Sequence, residues 1–378
     1  MFKIKLLDLK REYLFLRKEI NTQIKDSIRT QDWVLGRKVE EFEERAAKYL
    51  GVKYTVGVNS GTDALLISLR SLALKIKRKE FFEEKDEIIT PAFTFLATAE
   101  AIVRAGASPH FVDIDLSTFT IDPDQIEKAI TKNTVGILPV HLYGFSCVME
   151  RILNLAQKYN LFVVEDCAQA LGAEFKNKKV GSFADLGAFS FFPSKNLGAW
   201  GDAGLIATNS KHLAKICKAL RNHGQFKKYD AEFLGYNSRL DSLQAAILLA
   251  KFKYLNKFNS LRKRVARIYD TELSKIEEVE FVRIKNQRPV YHLYPIRLAT
   301  KRSRDRLLEF LNSQGIQARI YYPKPIYKMK AYESFKKSIL NNTEEAVSKS
   351  LCLPVHPFLK EEEVFYVVGK IKEFFFKK

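Results

Sequence analysis

Ala188-Phe-Ser190-Phe-Phe-Pro-Ser-Lys195-Asn-Leu-Gly198-Ala-Trp-Gly201-Asp-Ala-Gly204 is the stretch on which the reading turns. Its first residues, Ala188–Phe191, are mostly apolar and read as a strand. That strand delivers one lysine into a Gly-rich, largely uncharged segment. Lysine is seldom placed among apolar neighbours unless it is paired or used, because desolvation opposes its charge. A lysine whose pKa is lowered in this way is a nucleophile suited to Schiff-base chemistry. The plain alternative is a surface lysine after a strand. Upstream, Val163-Val-Glu-Asp166-Cys-Ala-Gln169-Ala reads as a strand that ends in an acidic pair, with an amide three residues on. A carboxylate there either serves a site or caps the next helix. Further upstream, Asn59-Ser-Gly-Thr-Asp63 lies between a strand and a helix. Gly61 frees the backbone, and the first helical amides point outward at an anion, with the Thr62 hydroxyl beside them. The same residues would also make an ordinary N-cap.

Around these three motifs, short β-rich runs alternate with longer helical ones. The expected strands are Tyr54–Val58, Glu87–Thr90, His110–Asp113, Val135–Val140, Leu161–Glu165, Ala188–Phe191 and Leu205–Thr208. The helices between them are Thr62–Lys75, Phe95–Ala105, Asp124–Ile130, Val148–Tyr159 and Lys211–Arg221. This alternation predicts an α/β domain with a mostly parallel central sheet, whose ligands bind at the carboxyl ends of the strands. Two helices precede it, Glu12–Thr30 and Lys38–Leu50, the second capped by Gly51. A long helix is expected over Leu243–Leu255 or beyond. The remainder mixes strands (Val279–Arg283, Tyr291–Leu298) with helices (Arg304–Gln314, Glu362–Phe374) and reads as a small α+β domain. The domain reading is therefore 1–250 for the large domain, with 1–30 as an N-terminal helical segment, and 251–378 for the small one. Lys75–Glu87 reads as a surface loop with a helix end.

The chain has 378 residues, enough for two or three domains at about 150 residues each. Hydrophobic residues make up 46% and charged residues 28%, which excludes a disordered chain. No apolar run approaches the ~20 residues of a membrane span, and Met1–Lys10 lacks the apolar core of a secretory signal. The four cysteines are far apart with no CxxC pair, so neither a zinc ribbon nor a disulfide scaffold is expected, and a reducing cytoplasm fits. No metal site is expected. The formal charge of +19 suggests nucleic acid, but its distribution weakens that reading. Residues 251–378 hold 28 basic against 14 acidic side chains, so most of the excess lies there. Its dense runs, Arg262–Arg267 and Lys301–Arg306, read as solvated helix faces or as a patch for a phosphorylated ligand. No zinc finger or RRM box is present, and neither a Walker loop nor a GxGxxG occurs.

Taken together, the motifs supply what pyridoxal 5'-phosphate (PLP) needs: a lysine for its aldehyde, a carboxylate for its pyridine nitrogen and a cup for its phosphate. Six ordered segments then carry a resemblance. They are Ser60-Gly-Thr-Asp-Ala-Leu65, Thr90-Pro-Ala-Phe-Thr-Phe95, Pro139-Val-His-Leu-Tyr-Gly144, Glu165-Asp-Cys-Ala-Gln-Ala170, Phe189-Ser-Phe-Phe-Pro-Ser-Lys195-Asn-Leu-Gly198 and Gly235-Tyr-Asn-Ser-Arg-Leu-Asp241. In these the chain resembles the DegT/StrS family of sugar aminotransferases, over nearly its whole length. The resemblance implies the PLP-dependent transferase type I fold. It implies that Lys195 is the catalytic residue, holding the cofactor's aldehyde and shuttling a proton. Asp166 would meet the pyridine nitrogen, Gln169 the ring's phenolic oxygen, and Phe95 would stack on the ring. Gly61, Thr62 and Ser190 would contact the phosphate. Asn237 would reach the phosphate of a neighbouring subunit's cofactor, which implies a homodimer with shared sites. Arg239 and Tyr322 are candidates for substrate contact.

The implied reaction moves an amino group from L-glutamate to a keto carbon of a nucleotide-linked (di)deoxy sugar for glycan biosynthesis. Asp63 leans this toward a 3-keto sugar. Retention of Lys195 favours transamination over the dehydration performed by relatives with His at that position. Alternatives are a keto-cyclitol substrate, a PLP-dependent sugar dehydratase, and a regulatory relative without turnover. The family's usual His-Tyr-Pro appears as Tyr321-Tyr322-Pro323, so the substrate pocket departs from the pattern there. Neither a membrane nor a nucleic acid is an expected partner.

Overall fold

Alternating side chains along the central strands face two different cores, and this sets the layering. The computed structural model describes residues 3–282, 287–335 and 339–376. Seven strands form the main sheet: β1 (Tyr54–Val58), β2 (Glu87–Pro91), β3 (Ser108–Val112), β4 (Thr134–Ile137), β5 (Phe162–Asp166), β6 (Leu186–Ser190) and β7 (Gly204–Thr208), in spatial order β1-β7-β6-β5-β4-β2-β3. Only β7 runs against its neighbours, β1 and β6; the other pairs are parallel. The mostly parallel sheet expected from the alternation is thus present, with boundaries within about two or three residues of those read from the sequence.

Leu186 and Ala188 on β6 and Ile206 on β7 share one core with Leu65 and Leu69. The intervening Phe189, Leu205 and Ala207 share the other with Phe42 and Leu248. A sheet buried on both faces needs apolar residues at successive positions, which explains the continuous apolar runs of these strands. The helices that cover it are α1 (Leu9–Thr30), α2 (Arg37–Leu50), α3 (Gly61–Leu72), α4 (Ala97–Arg104), α5 (Pro123–Ala129), α6 (Met149–Tyr159), α7 (Lys211–Leu220) and α8 (Ser242–Phe252). Gly51 closes α2 at φ 73°, the left-handed cap expected of it.

The long helix expected over Leu243–Leu255 is interrupted. It ends at Phe252, and α9 (Leu255–Leu273) begins after Lys253 and Tyr254. Beyond it, β8 (Val279–Phe281), β9 (Tyr294–Leu298) and β10 (Ser350–Leu353) form a separate antiparallel sheet in the order β8-β9-β10. It packs with α9, α10 (Lys301–Ser313) and α12 (Glu361–Phe376) around Val265, Tyr269, Ile296, Leu307 and Val364. The sequence reading missed α11 (Asn341–Lys349) and β10. It also started the second strand of this sheet three residues early, at Tyr291, and its Arg283 lies outside the described residues.

Two charge readings are corrected. Arg262 is 2% and Arg304 3% exposed, so neither basic run is simply a solvated face. Each turns a guanidinium onto backbone carbonyls: Val355 for Arg262 at 2.8 Å, Val347 and Ser350 for Arg304 at 3.1 Å each. Lys75–Glu87 is likewise not all surface, because Phe82 and Asp86 are buried and Glu80 accepts from the buried Arg70. Among the described residues no helix is long and apolar enough to cross a membrane.

Glu165 is fully buried beside the functional strand end. Its carboxylate accepts from the amides of Gly181 (2.7 Å), Phe183 (2.8 Å) and Ala184 (3.0 Å) and from His141 Nε2 (3.0 Å). The Cys147 amide donates to His141 Nδ1, which leaves the imidazole proton on Nε2. Replacing Glu165 by Ala strands four donors, so urea melts at equal cofactor loading should show a loss of about 3 kcal/mol or more. Lys158→Ala, which removes an exposed, solvent-screened pair with Glu127, should leave the melt almost unmoved. Equal losses in the two variants would contradict the assignment.

Candidate active site

The carboxyl ends of the parallel strands open into a cavity of about 480 Å³. Ser60, Gly61 and Thr62 reach it just after β1, Thr94, Phe95 and Thr98 after β2, Asp166 at the end of β5, and Ser190 at the end of β6. Lys195, His292, Arg262, Tyr321 and Tyr322 complete much of the wall. Parallel strands bring residues far apart in sequence to one edge, and Asp166 is in register with Ala188 on the neighbouring strand. A larger and more open groove of about 610 Å³ near Leu153 and Phe183 holds no lysine, histidine or cysteine.

The segment after β6 is shaped by its backbone. The Lys195 amide donates to Phe192 O at 2.8 Å, and the Ala199 amide donates to Phe191 O at 2.7 Å, so the chain turns tightly around the lysine. Gly198 permits this turn, since a Cβ there would lie 2.4 Å from Pro193 O. The buried Lys251 on α8 donates to Gly198 O at 2.5 Å and pairs with Glu12 on α1. Burial pushes the Lys195 ammonium down to about 8, against the opposing pull of the Asp166 charge.

Burial also pushes the Asp166 carboxyl up, opposed by its hydrogen bonds and by Lys195. Its Oδ1 accepts from the Ala168 amide at 3.1 Å and its Oδ2 from Thr98 Oγ1 at 2.9 Å. A carboxylate has about four acceptor positions, so capacity remains toward the cavity. Thr98 is bonded in turn to Thr94 at 3.1 Å. Gln169 is fixed at both ends: Oε1 accepts from the Tyr143 amide (2.8 Å) and Nε2 donates to Tyr322 Oη (2.9 Å). The other Nε2 hydrogen has no partner among the described residues.

At the start of α3, Ser60 Oγ caps the Asp63 amide at 3.0 Å. The amides of Gly61 and Thr62 lie in the first turn, where the helix offers them no carbonyl. Gly61 passes close to β6: a Cβ there would lie 2.5 Å from Ser190 Cβ. The N-cap and anion-cup readings of this motif are therefore compatible. Phe95 is 50% exposed and lines the cavity, with its ring 6.1 Å from that of Tyr322.

The structure thus brings Gly61, Thr62, Phe95, Asp166, Gln169, Ser190, Lys195 and Tyr322 around one cavity. Asn237 and Arg239 stand outside it. Asn237 is exposed and bridged to Asn222, and Arg239 donates to Asn222 Oδ1 at 3.2 Å. Asp63 accepts from Ser238 Oγ at 2.7 Å and does not line the cavity. Sequence reasoning missed Thr98, His292 and the inward turn of Arg262. Thr94 and Thr98 stand four residues apart, the one signal that could have flagged the first. His292 Nδ1 lies 3.3 Å from Asn196 Oδ1, and burial together with the charges of Lys195 and Arg262 holds its imidazole neutral.

Residues 15–372 match the model of the DegT/DnrJ/EryC1/StrS aminotransferase family. The chain is 42% identical over 377 residues to the Pleiotropic regulatory protein of Geobacillus stearothermophilus, covering 98% of each. It is 40% identical over 369 residues to the UDP-N-acetyl-3-dehydro-alpha-D-glucosamine 3-aminotransferase of Acidithiobacillus ferrooxidans, covering 98% of this chain and 97% of the relative. Its backbone superimposes on DesV of Streptomyces venezuelae, solved with a ketimine intermediate, at a TM-score of 0.93 and 35% identity, over 99% and 98% of the two chains. With nearly the whole length matched, the chain belongs to the DegT/DnrJ/EryC1/StrS aminotransferase family, whose cofactor is pyridoxal phosphate.

Proposed function

We propose that this chain transfers an amino group from L-glutamate to the 3-keto group of a nucleotide-linked (di)deoxy sugar, feeding glycan assembly. The observation that carries the reading is the meeting of Lys195, Asp166, Gln169 and the Gly61–Thr62 helix end around one cavity. The likeness to a UDP-sugar 3-aminotransferase supports the nucleotide-linked 3-keto substrate. The enzyme works in the cytoplasm as a homodimer, with Asn237 completing the partner's phosphate cup; the exposure of Asn237 outside its own cavity supports this. A large cofactor-binding domain (1–250) and a small domain (251–378) fit the helix break at Lys253–Tyr254 and the separate second sheet.

The donor set suits PLP. Asp166 has acceptor capacity left for a cationic N–H, Gln169 has a free donor hydrogen, and the α3 end offers two amides and a hydroxyl to a dianion. Bound there, PLP would supply an electron sink for the amine-bearing carbon. Asp166 would hold the pyridine nitrogen protonated, and Thr98 and the Ala168 amide keep that carboxylate aimed. Lys195 would hold the cofactor's aldehyde and move a proton at Nζ, and Phe95 would lie against the ring.

The protein should be yellow, and borohydride should fix its visible band onto Lys195. Glutamate should yield 2-oxoglutarate and bleach that band, and a screen of UDP- and dTDP-linked 3-keto and 4-keto sugars by mass shift should then identify the acceptor. A protein that cannot be loaded with PLP sinks the proposal. A loaded protein that glutamate never bleaches favours a regulatory role, which the name of the Geobacillus relative suggests for that protein.

Capture of PLP by the cofactor-free chain depends on the neutral Lys195 amine. The lowered pKa of about 8 means the amine is protonated below that value. The capture rate should therefore fall about tenfold per pH unit below ~8 and level off above it. A flat profile across that range contradicts the role of the lysine. Thr98→Val should weaken PLP retention about tenfold in dialysis, through the loss of one hydrogen bond to a charged acceptor; wild-type retention would remove Thr98 from the site.

A further inference from the structure

His292 lines the cavity two residues before β9 and keeps 8% of its surface exposed. Its Nδ1 lies 3.3 Å from Asn196 Oδ1. The Asn196 side-chain nitrogen is committed as a donor, to Asn259 Oδ1 at 2.9 Å and to Val290 O at 3.0 Å. Asn259 on α9 is fixed in turn, its side-chain nitrogen donating to Leu171 O at 3.1 Å. The Asn196 oxygen can therefore only accept. The proton of the neutral imidazole then sits on Nδ1, and Nε2 carries a bare lone pair. Among the described residues no hydrogen bond engages Nε2, and it is not one of the unpartnered atoms sealed from the surface. Nε2 thus meets space that a ligand can reach. The ring is anchored through the residue next to Lys195, and the charge of Lys195 acts on it.

We infer that His292 Nε2 accepts a hydrogen bond from a hydroxyl of the acceptor sugar, and so selects sugars that carry it. This rests on the proposed transamination. The other ligands of the cavity offer Nε2 no donor. A phosphate and the carboxylates of glutamate carry only acceptors, and lone pairs facing a lone pair repel. The keto oxygen of the sugar is an acceptor too. The pyridine N–H has Asp166, and the amino group of glutamate is the reacting group itself. Ring hydroxyls remain, and an imidazole lone pair is a good acceptor for them. The tautomer is locked, because moving the proton to Nε2 would set two acceptors against each other at Asn196. Burial and the charges of Lys195 and Arg262 keep the ring unprotonated, so the lone pair persists at neutral pH. A sugar lacking the hydroxyl would leave this acceptor dehydrated and unpaired, which is the physical basis of rejection.

The test uses PLP-loaded enzyme and UDP-glucose with its 2-, 4- and 6-deoxy analogues, which have no keto group and cannot turn over, titrated by calorimetry. Wild type should bind one deoxy analogue about tenfold or more weaker than UDP-glucose. His292→Phe removes the acceptor and should bind that analogue and UDP-glucose alike. It also takes the ring donor from Asn196, but a purely structural loss would weaken all four ligands together and leave their ratios as in wild type. His292→Gln, which offers an oxygen as acceptor, should restore part of the discrimination. Wild type that binds all four equally, or none of them, overturns the inference, as does discrimination that survives intact in His292→Phe. If the discrimination depends on His292 but glutamate never bleaches the cofactor band, the transamination proposal fails while the hydroxyl site stands. Should His292→Phe not fold, a crystal of the wild-type holoenzyme with UDP-glucose decides: a sugar hydroxyl on His292 Nε2 supports the site, and hydroxyls placed only elsewhere refute it.

Discussion

Lys195 and Asp166 have to share one small cavity without collapsing onto each other. Their charges interact, Asp166 raising the lysine and the lysine lowering the aspartate, yet no ion pair joins them among the described residues. A direct pair would keep the amine protonated and fill the carboxylate, and both would be lost to chemistry. The fold prevents this with backbone. Asp166 ends β5 and is tied down by the Ala168 amide and Thr98. Lys195 follows β6 on a turn locked at Phe192, Phe191 and Gly198. Glu165, one residue before Asp166, anchors the chain leading into β6 through three amides. The distance between the two charged groups is therefore set by the sheet and its connections rather than by their attraction.

The support reaches further than the sheet. Lys251, buried on α8, fastens Gly198 O and is neutralised by Glu12 from α1. The N-terminal helix thus holds the lysine turn through one buried pair. Such a pair adds little net stability, because desolvation offsets the attraction. Its service is geometric: it places a donor where the turn has a carbonyl to satisfy.

Much of the site was legible in the sequence because parallel α/β topology turns sequence order into spatial order. Once Asn59–Asp63, Glu165–Gln169 and Ser190–Lys195 are each read as strand ends, their convergence follows. The sheet was readable for the same reason, since strands buried on both faces show as unbroken apolar runs. What stayed hidden has a common physical cause. Arg262, Arg304 and Lys251 are charged residues in helices with exposed neighbours, and sequence shows a side chain's charge but not which way its helix faces. His292 carries no spacing signal, and the four-residue step from Thr94 to Thr98 looks the same as that of any two residues on one helix face. The break at Lys253–Tyr254 passed unseen because neither residue forbids a helix. Asn237 and Arg239 both meet Asn222 outside the cavity, and no feature of their motif in the sequence shows which side of the fold it will occupy.

The net charge of +19 therefore matters less than its placement. Among the ionisable residues lining the cavity, Lys195 and Arg262 are basic, Asp166 and Asp202 acidic, and His292 is held neutral. Asp202 lies exposed, which leaves Asp166 as the buried anion of the wall. A wall of this kind, with a helix end added, attracts anions at several points and a cationic N–H at one. That charge pattern suits the family's phosphorylated pyridine cofactor, whereas an extended polyanion would need its basic groups on the surface. The surface excess over residues 251–378 steers anionic ligands at most, and the selective charges are the few that the fold turns inward.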